Sequence, residues 1–114
     1  PIPLHKNRLR RRGYNQSDLI AQAIVTHGTN NLFEISRTVL TRPKDTAQQA
    51  RSQKRNDRFQ NLAHAFEYTD SISIKNRVVI LIDDITTTGA TINFAKKTLK
   101  KGLPRDILAF TIAH

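Results

Sequence analysis

The chain has no cysteine, no methionine and no tryptophan, and aromatic residues fill only 6% of its 114 positions. Without cysteine there is neither a disulfide staple nor a thiolate metal site. A core must therefore rest on Ile, Leu, Val, Ala and a few Phe. Acids are scarce as well. Nine Asp+Glu stand against 19 Lys+Arg, for a formal net charge of +10. Charge of that sign points to polyanionic partners: phosphorylated small molecules, nucleic acid or an anionic membrane surface. Long apolar runs are also missing. Nothing approaches the roughly 20 residues that cross a bilayer, and no secretory signal is visible. No membrane insertion is expected, and the lack of cysteine fits a reducing compartment such as the cytoplasm. The length suits one domain with a modest core. The first residue is Pro1, not Met, so the chain reads as a fragment of a longer protein.

The basic residues fall in three groups. Lys6, Arg8, Arg10, Arg11 and Arg12 meet no acid in the first twelve positions. Arg42, Lys44, Arg51, Lys54, Arg55 and Arg58 form the second group, and Lys96, Lys97, Lys100 and Lys101 the third, which reads as a solvated surface.

The prolines of residues 1–4 favour extended backbone, as at the end of a strand. Residues 5–13 read as a basic loop, with Gly13 permitting a turn before Tyr14. Asn15 is a good N-cap with Asp18 in the first turn. Leu19, Ile20, Ala23 and Ile24 recur at helical spacing, which predicts a helix over 16–27 with Gly28 as its C′ residue. Asn30 and Asn31 mark a turn. Residues 36–41 read as a strand ended by Arg42-Pro43. Thr46 to Gln49 resembles a capping box, and the helix predicted after it, about 47–56, is nearly all polar. Such a helix has little to bury; it reads as a mobile lid or as an exposed arm. A short strand is expected over 67–70 and a turn at Lys75-Asn76.

Val78 to Ile82 is an unbroken aliphatic run, which suits a strand buried on both faces of a parallel sheet. A loop over 83–89 leads to a helix over about 90–101. Ile92, Ala95 and Leu99 stripe that helix, lysines fill its last turn, and Gly102 and Pro104 end it. Residues 107–113 read as a second buried strand, so the C-terminal half is a βαβ unit in an α/β chain.

The chemistry lies at the end of the aliphatic run. Asp83 and Asp84 arrive at the C-terminal edge of a buried strand, where open α/β sheets hold their ligands. Two acids there are costly unless they bind something: sugar hydroxyls, a metal ion or nearby basic side chains. Thr86, Thr87, Thr88, Gly89, Ala90 and Thr91 then pass into a helix N-terminus, which offers backbone N–H groups and a positive dipole end to an anion. An ordinary N-cap turn explains part of this run. The order of strand, paired acids, hydroxyl-rich turn, glycine and helix instead describes a ribose-5-phosphate site. No Gly-x-x-x-x-Gly-Lys or Gly-x-Gly-x-x-Gly is present, which argues against a P-loop and a dinucleotide fold.

Residues 80–91 resemble the ribose-5-phosphate loop of type I phosphoribosyltransferases. Pro1-Ile2-Pro3-Leu4-His5, Arg12-Gly13-Tyr14-Asn15-Gln16-Ser17, and Arg42 with Thr46, Gln48, Arg55, Asn56 and Phe59 resemble the ComF family within that fold. The resemblance covers nearly the whole chain. It implies a type I phosphoribosyltransferase-like fold: a central, mostly parallel sheet flanked by helices, with a flexible lid and a truncated first strand. It implies binding of phosphoribosyl pyrophosphate, with Asp83 and Asp84 on the ribose hydroxyls and Thr86 to Thr91 around the 5′-phosphate. Lys6, Arg8 and Arg12 would lie on the pyrophosphate or on nucleic acid, and Lys54 or Arg55 of the lid would reach the leaving group. Mg²⁺ would arrive on the ligand, with Asp83 and Asp84 as its nearest carboxylates. Family membership further implies a role in DNA uptake and natural transformation, with single-stranded DNA as partner. The other functional class is an active phosphoribosyltransferase of nucleotide metabolism with an unknown acceptor and no DNA role. Purine-salvage members carry Asp at the position of Thr87, so purine salvage is not expected. ComF relatives usually carry a cysteine-rich zinc module before this domain; the cysteine-free chain departs from that pattern.

Overall fold

The computed structural model describes residues 1–28, 31–45 and 60–113. The described elements in chain order are α1 (Lys6–Arg12), α2 (Gln16–His27), β1 (Leu40–Thr41), β2 (Glu67–Tyr68), β3 (Val78–Ile85), α3 (Ala90–Leu99), a 3₁₀ turn (Lys100–Gly102) and β4 (Asp106–Ala113). The expected helix over 47–56 and its capping box, with Lys54 and Arg55, lie outside the described residues.

The aliphatic run makes the central strand. β3 and β4 pair in parallel, with Ile80 opposite Leu108, Ile82 opposite Phe110 and Asp83 opposite Thr111. α3 makes the crossover between them, as the βαβ pattern requires. On the other edge of β3, the Ile2 N–H donates to the Ile82 carbonyl at 2.8 Å. The N-terminal segment thus lies alongside the sheet. A second, antiparallel pair joins β1 to β2, with Leu40 opposite Tyr68. The strand expected over 36–41 shortens to its last two residues because 37–39 bend. The core packs Ile2, Leu40, Phe66, Leu81, Ala95 and Leu99 together.

Two local expectations fail for physical reasons. Residues 6–12 are a helix, not a loop. The His5 Nδ1 caps it by accepting from the Asn7 N–H, and Gly13 at φ 83° closes it with an N–H bond to the Leu9 carbonyl. Arg and Lys are good helix formers, and Arg10, Arg11 and Arg12 in the last turn complement the dipole. With five basic residues in seven, α1 has no apolar periodicity to reveal it. The second failure concerns the extent of burial. β3 is covered on both faces at Leu81, Ile82 and Asp83, whereas Ile80, Leu108, Phe110 and Ile112 stand 37–65% exposed.

The glycines also act differently from expectation. Gly28 ends α2 in an extended conformation, at φ −72°. After α3 the left-handed residue is Leu103, at φ 55°. Gly102 is needed for space, because a Cβ there would sit 2.5 Å from Ile74 Cγ1 and 2.7 Å from the Tyr68 hydroxyl.

Candidate functional site

β3 does not stop at the acids. It runs through them to Ile85, which lies opposite Ala113, and the Thr86 N–H donates to the Ala113 carbonyl at 3.0 Å. The loop is therefore residues 86–89, shorter than the expected 83–89. Asp83 and Asp84 are neighbours on the strand, and their carboxyl groups lie close enough to interact. Their environments nevertheless differ. Asp83 is 8% exposed, while Asp84 is half-buried.

Asp83 is held from two sides. The Ser17 hydroxyl on α2 donates to its Oδ1 at 3.2 Å, and the Asp84 N–H donates to the same oxygen at 3.0 Å. Burial pushes the Asp83 carboxyl above its ordinary value of 3.8, the Asp84 carboxyl pushes it further the same way, and the two donors partly offset the rise. Proton linkage fixes the sign for the free protein. A carboxyl with a raised native pKa favours folding most when protonated, so its contribution is lost as pH rises from 3.8 through the raised value. The variant Asp83→Asn is therefore expected to unfold at a higher temperature than the parent at pH 7, and the gap should close near pH 3. Its amide oxygen can still accept from Ser17, and its NH₂ can donate to Asp84. Thermal unfolding followed by circular dichroism at both pH values checks this; an equal or lower midpoint at pH 7 contradicts it.

Gly89 makes the turn into α3. It is the N-cap at φ 73°, in the left-handed region that favours glycine, and supplies no side-chain cap. The Ala90 N–H is taken by the Thr88 hydroxyl at 3.3 Å and the Asn93 N–H by the Gly89 carbonyl at 2.9 Å. The amides of Thr91 and Ile92 lie in the first turn, where a helix has no internal acceptors. The first turn carries no acid. These features make the mouth of α3 receptive to an anion.

Lys6, Arg8 and Arg12 are all exposed on α1. His5 is 7% exposed, and its Nδ1 lies 3.3 Å from Asp45 Oδ2, which also accepts from the Asn7 amide at 3.3 Å. This ties the start of α1 to the stretch after β1.

Arg42 was not among the expected site residues. It is half-buried, with its guanidinium 5.3 Å from the centroid of the Phe66 ring. Burial lowers its pKa and the charge of Arg8 adds to that, while Asp45 and Asp83 oppose it. Arg42 is thus the cation that feels both the basic helix and the buried acid. Ser17 was likewise missed as a partner of Asp83, and 66 positions separate the two in sequence. Arg42-Pro43 reads locally as a strand stop, so no local signal marks either role.

Among the described residues no group of three or more His, Cys, Asp or Glu could enclose a metal ion. The adjacent Asp83 and Asp84 fit Mg²⁺ only in its usual mode on phosphates, with one or two carboxylates and the ligand's own oxygens. No helix among the described residues is long and apolar enough to cross a membrane.

The chain is similar to "Competence protein F" of Haemophilus influenzae, with 38% identity over 117 residues, covering 100% of this chain and 48% of that protein. It is 32% identical to "Competence protein ComFC" of Bacillus subtilis, across 98% of this chain and 42% of the relative. It is 33% identical to "DNA utilization protein YhgH" of Escherichia coli K12, across 89% and 42% respectively. The chain thus spans less than half the length of these relatives. No protein-family model and no solved structure matches it.

Proposed function

The chain belongs to the ComF family, and we propose that it binds phosphoribosyl pyrophosphate with Mg²⁺ in a type I phosphoribosyltransferase arrangement, in the service of DNA uptake. The observation that carries this reading is the sequence of parts along β3 and α3. Two carboxylates stand near the end of the strand, just before Ile85, a four-residue hydroxyl-rich loop follows, and a helix opens with a left-handed glycine and no side-chain cap. The carboxylates suit the ribose hydroxyls. The loop hydroxyls and the first-turn amides suit the 5′-phosphate. Asp84, the more open of the two, presents its carboxylate first, while Asp83 is oriented by Ser17. Lys6 and Arg8 on α1 face the pyrophosphate charge. Mg²⁺ bound to that pyrophosphate supplies charge neutralisation. The experiment is titration calorimetry of the protein with phosphoribosyl pyrophosphate and Mg²⁺. Saturable 1:1 heat is expected, and its absence in the full-length protein would end this reading.

The relatives' printed names, competence and DNA utilization, support a role with DNA. A specific observation favours single-stranded DNA as a partner: α1 exposes five basic residues in seven, with no acid among them. One pyrophosphate does not need so many. Binding to an oligonucleotide is expected to weaken steeply with salt, because phosphate contacts release counterions. Each Arg→Ala on α1 should lower the slope of log affinity against log salt by about 0.7. A slope that stays unchanged when Arg8 and Arg12 are both replaced removes α1 from the interface.

A further inference from the structure

α1, α2, β1 and the N-terminal segment border an open cleft of about 740 Å³ whose lining includes neither Asp83 nor Asp84. Its volume falls within the range of small-molecule sites, roughly 300–1,000 Å³. Its walls are mostly apolar. Leu9, Tyr14 and Leu19 line it and are 42–50% exposed, and Leu40 closes it on the β1 side. An apolar lining with a few polar groups is the usual make-up of a ligand site. Lys6 and Arg42 also line the cleft. Lys6 belongs to the basic helix, so one wall of the hollow carries positive charge; Asp18, which also lines it, is paired with Arg37 at 2.8 Å, and Tyr14 gives an aromatic face.

That combination selects a ligand. Phosphoribosyl pyrophosphate has no apolar surface and gains nothing from leucines. A nucleobase is flat and has a π-face for Tyr14, while its strand carries phosphates for α1. We propose that this cleft is a base-binding subsite for single-stranded nucleic acid whose backbone follows α1. The inference rests on the reading that the chain binds such strands at all. It adds that binding is more than charge: bases enter the hollow and stack on Tyr14.

The test compares two fluorescein-labelled oligomers of equal length and charge, one oligo-dT and one made of abasic sites, by anisotropy at low salt. The parent protein should bind oligo-dT more tightly than the abasic strand by roughly tenfold, the scale of one stacked base. Tyr14→Ala should erase that preference while leaving the abasic affinity unchanged, and Tyr14→Phe should keep it. Circular dichroism verifies that the variants fold; Tyr14 is 46% exposed, so truncation opens no cavity. Arg8→Ala with Arg12→Ala should weaken both strands alike. Equal parent affinities for the two strands would overturn the subsite and leave the charge-driven reading standing. A preference that survives Tyr14→Ala would overturn it too. If the parent binds neither strand, the single-strand reading itself falls and takes the subsite with it.

Discussion

Replacing Asp83 and Asp84 together by asparagine is expected to reduce affinity for phosphoribosyl pyrophosphate with Mg²⁺ by about 100-fold or more while leaving the fold intact. A hydrogen bond involving a charged group contributes about 1.5–3 kcal/mol, and two such carboxylates on a ribose diol bring roughly 3–6 kcal/mol. The amides keep the shape but lose the charge, and each turns one acceptor oxygen into a donor aimed at a hydroxyl. In the proposed complex the carboxylates would also neighbour the ligand-borne Mg²⁺, which would compound the loss. The prediction gains force from the opposite behaviour of stability. Burial disfavours the ionised Asp83 carboxyl in the free protein, so its removal should stabilise that state. A variant that melts no lower than the parent, yet gives no calorimetric heat, separates ligand recognition from folding. The parent's midpoint should also rise with ligand, by mass action on the folded state, and the double variant's should not. An unchanged affinity in the double variant would dismiss the ribose assignment.

Much of this arrangement was legible because its parts are local. The aliphatic run before Asp83 can only be a strand, the Asn15 N-cap and the spacing from Leu19 to Ile24 define α2, and the loop from Thr86 to Gly89 must deliver a helix. Gly89 at φ 73° and the Asn15 side chain accepting from the Ser17 N–H at 3.1 Å are the physical content of those signals. What stayed hidden depends on contacts distant in sequence. Nothing near Ser17 announces that its hydroxyl will meet Asp83. Nothing near Gly102 announces Ile74 and the Tyr68 hydroxyl, so a space requirement was mistaken for a turn requirement. α1 was hidden for a different reason. Hydrophobic periodicity reports burial, and no residue of α1 is buried. Its helicity comes from caps and propensity, which the pattern of apolar residues cannot show. The sheet follows the same logic. A run of aliphatics encodes a strand, but not how much of its length is covered: Leu81 and Ile82 are buried, while Val78 and Ile80 are not. The cleft beside α1 is likewise a product of assembly, since its walls come from three segments.

Leu99→Ala is expected to destabilise the domain by about 2–5 kcal/mol, the usual cost of truncating a buried leucine. Leu99 is 2% exposed, the largest side chain so deeply buried among the described residues, and shares the core with Leu81, Ala95 and Ile74. Little can collapse into the space. Ala95 has no length to offer, and Ile74 is fixed against Gly102, where even a Cβ would collide. A cost of that size is a large share of the roughly 5–15 kcal/mol that holds a domain folded. Ile112→Thr supplies the contrast. Ile112 is 65% exposed near the end of β4, and exchange there should change stability by no more than about 0.5 kcal/mol. Urea unfolding followed by circular dichroism measures both. The pair also bears on the site, because the anion-facing amides sit at the other end of the helix that Leu99 anchors. Loss of that anchor should weaken phosphoribosyl pyrophosphate binding through the folded fraction alone, with affinity recovered at temperatures where the variant is fully folded. If Leu99→Ala were as harmless as Ile112→Thr, α3 would not be held by its C-terminal turn, and the fixed mouth that the phosphate requires would have no support.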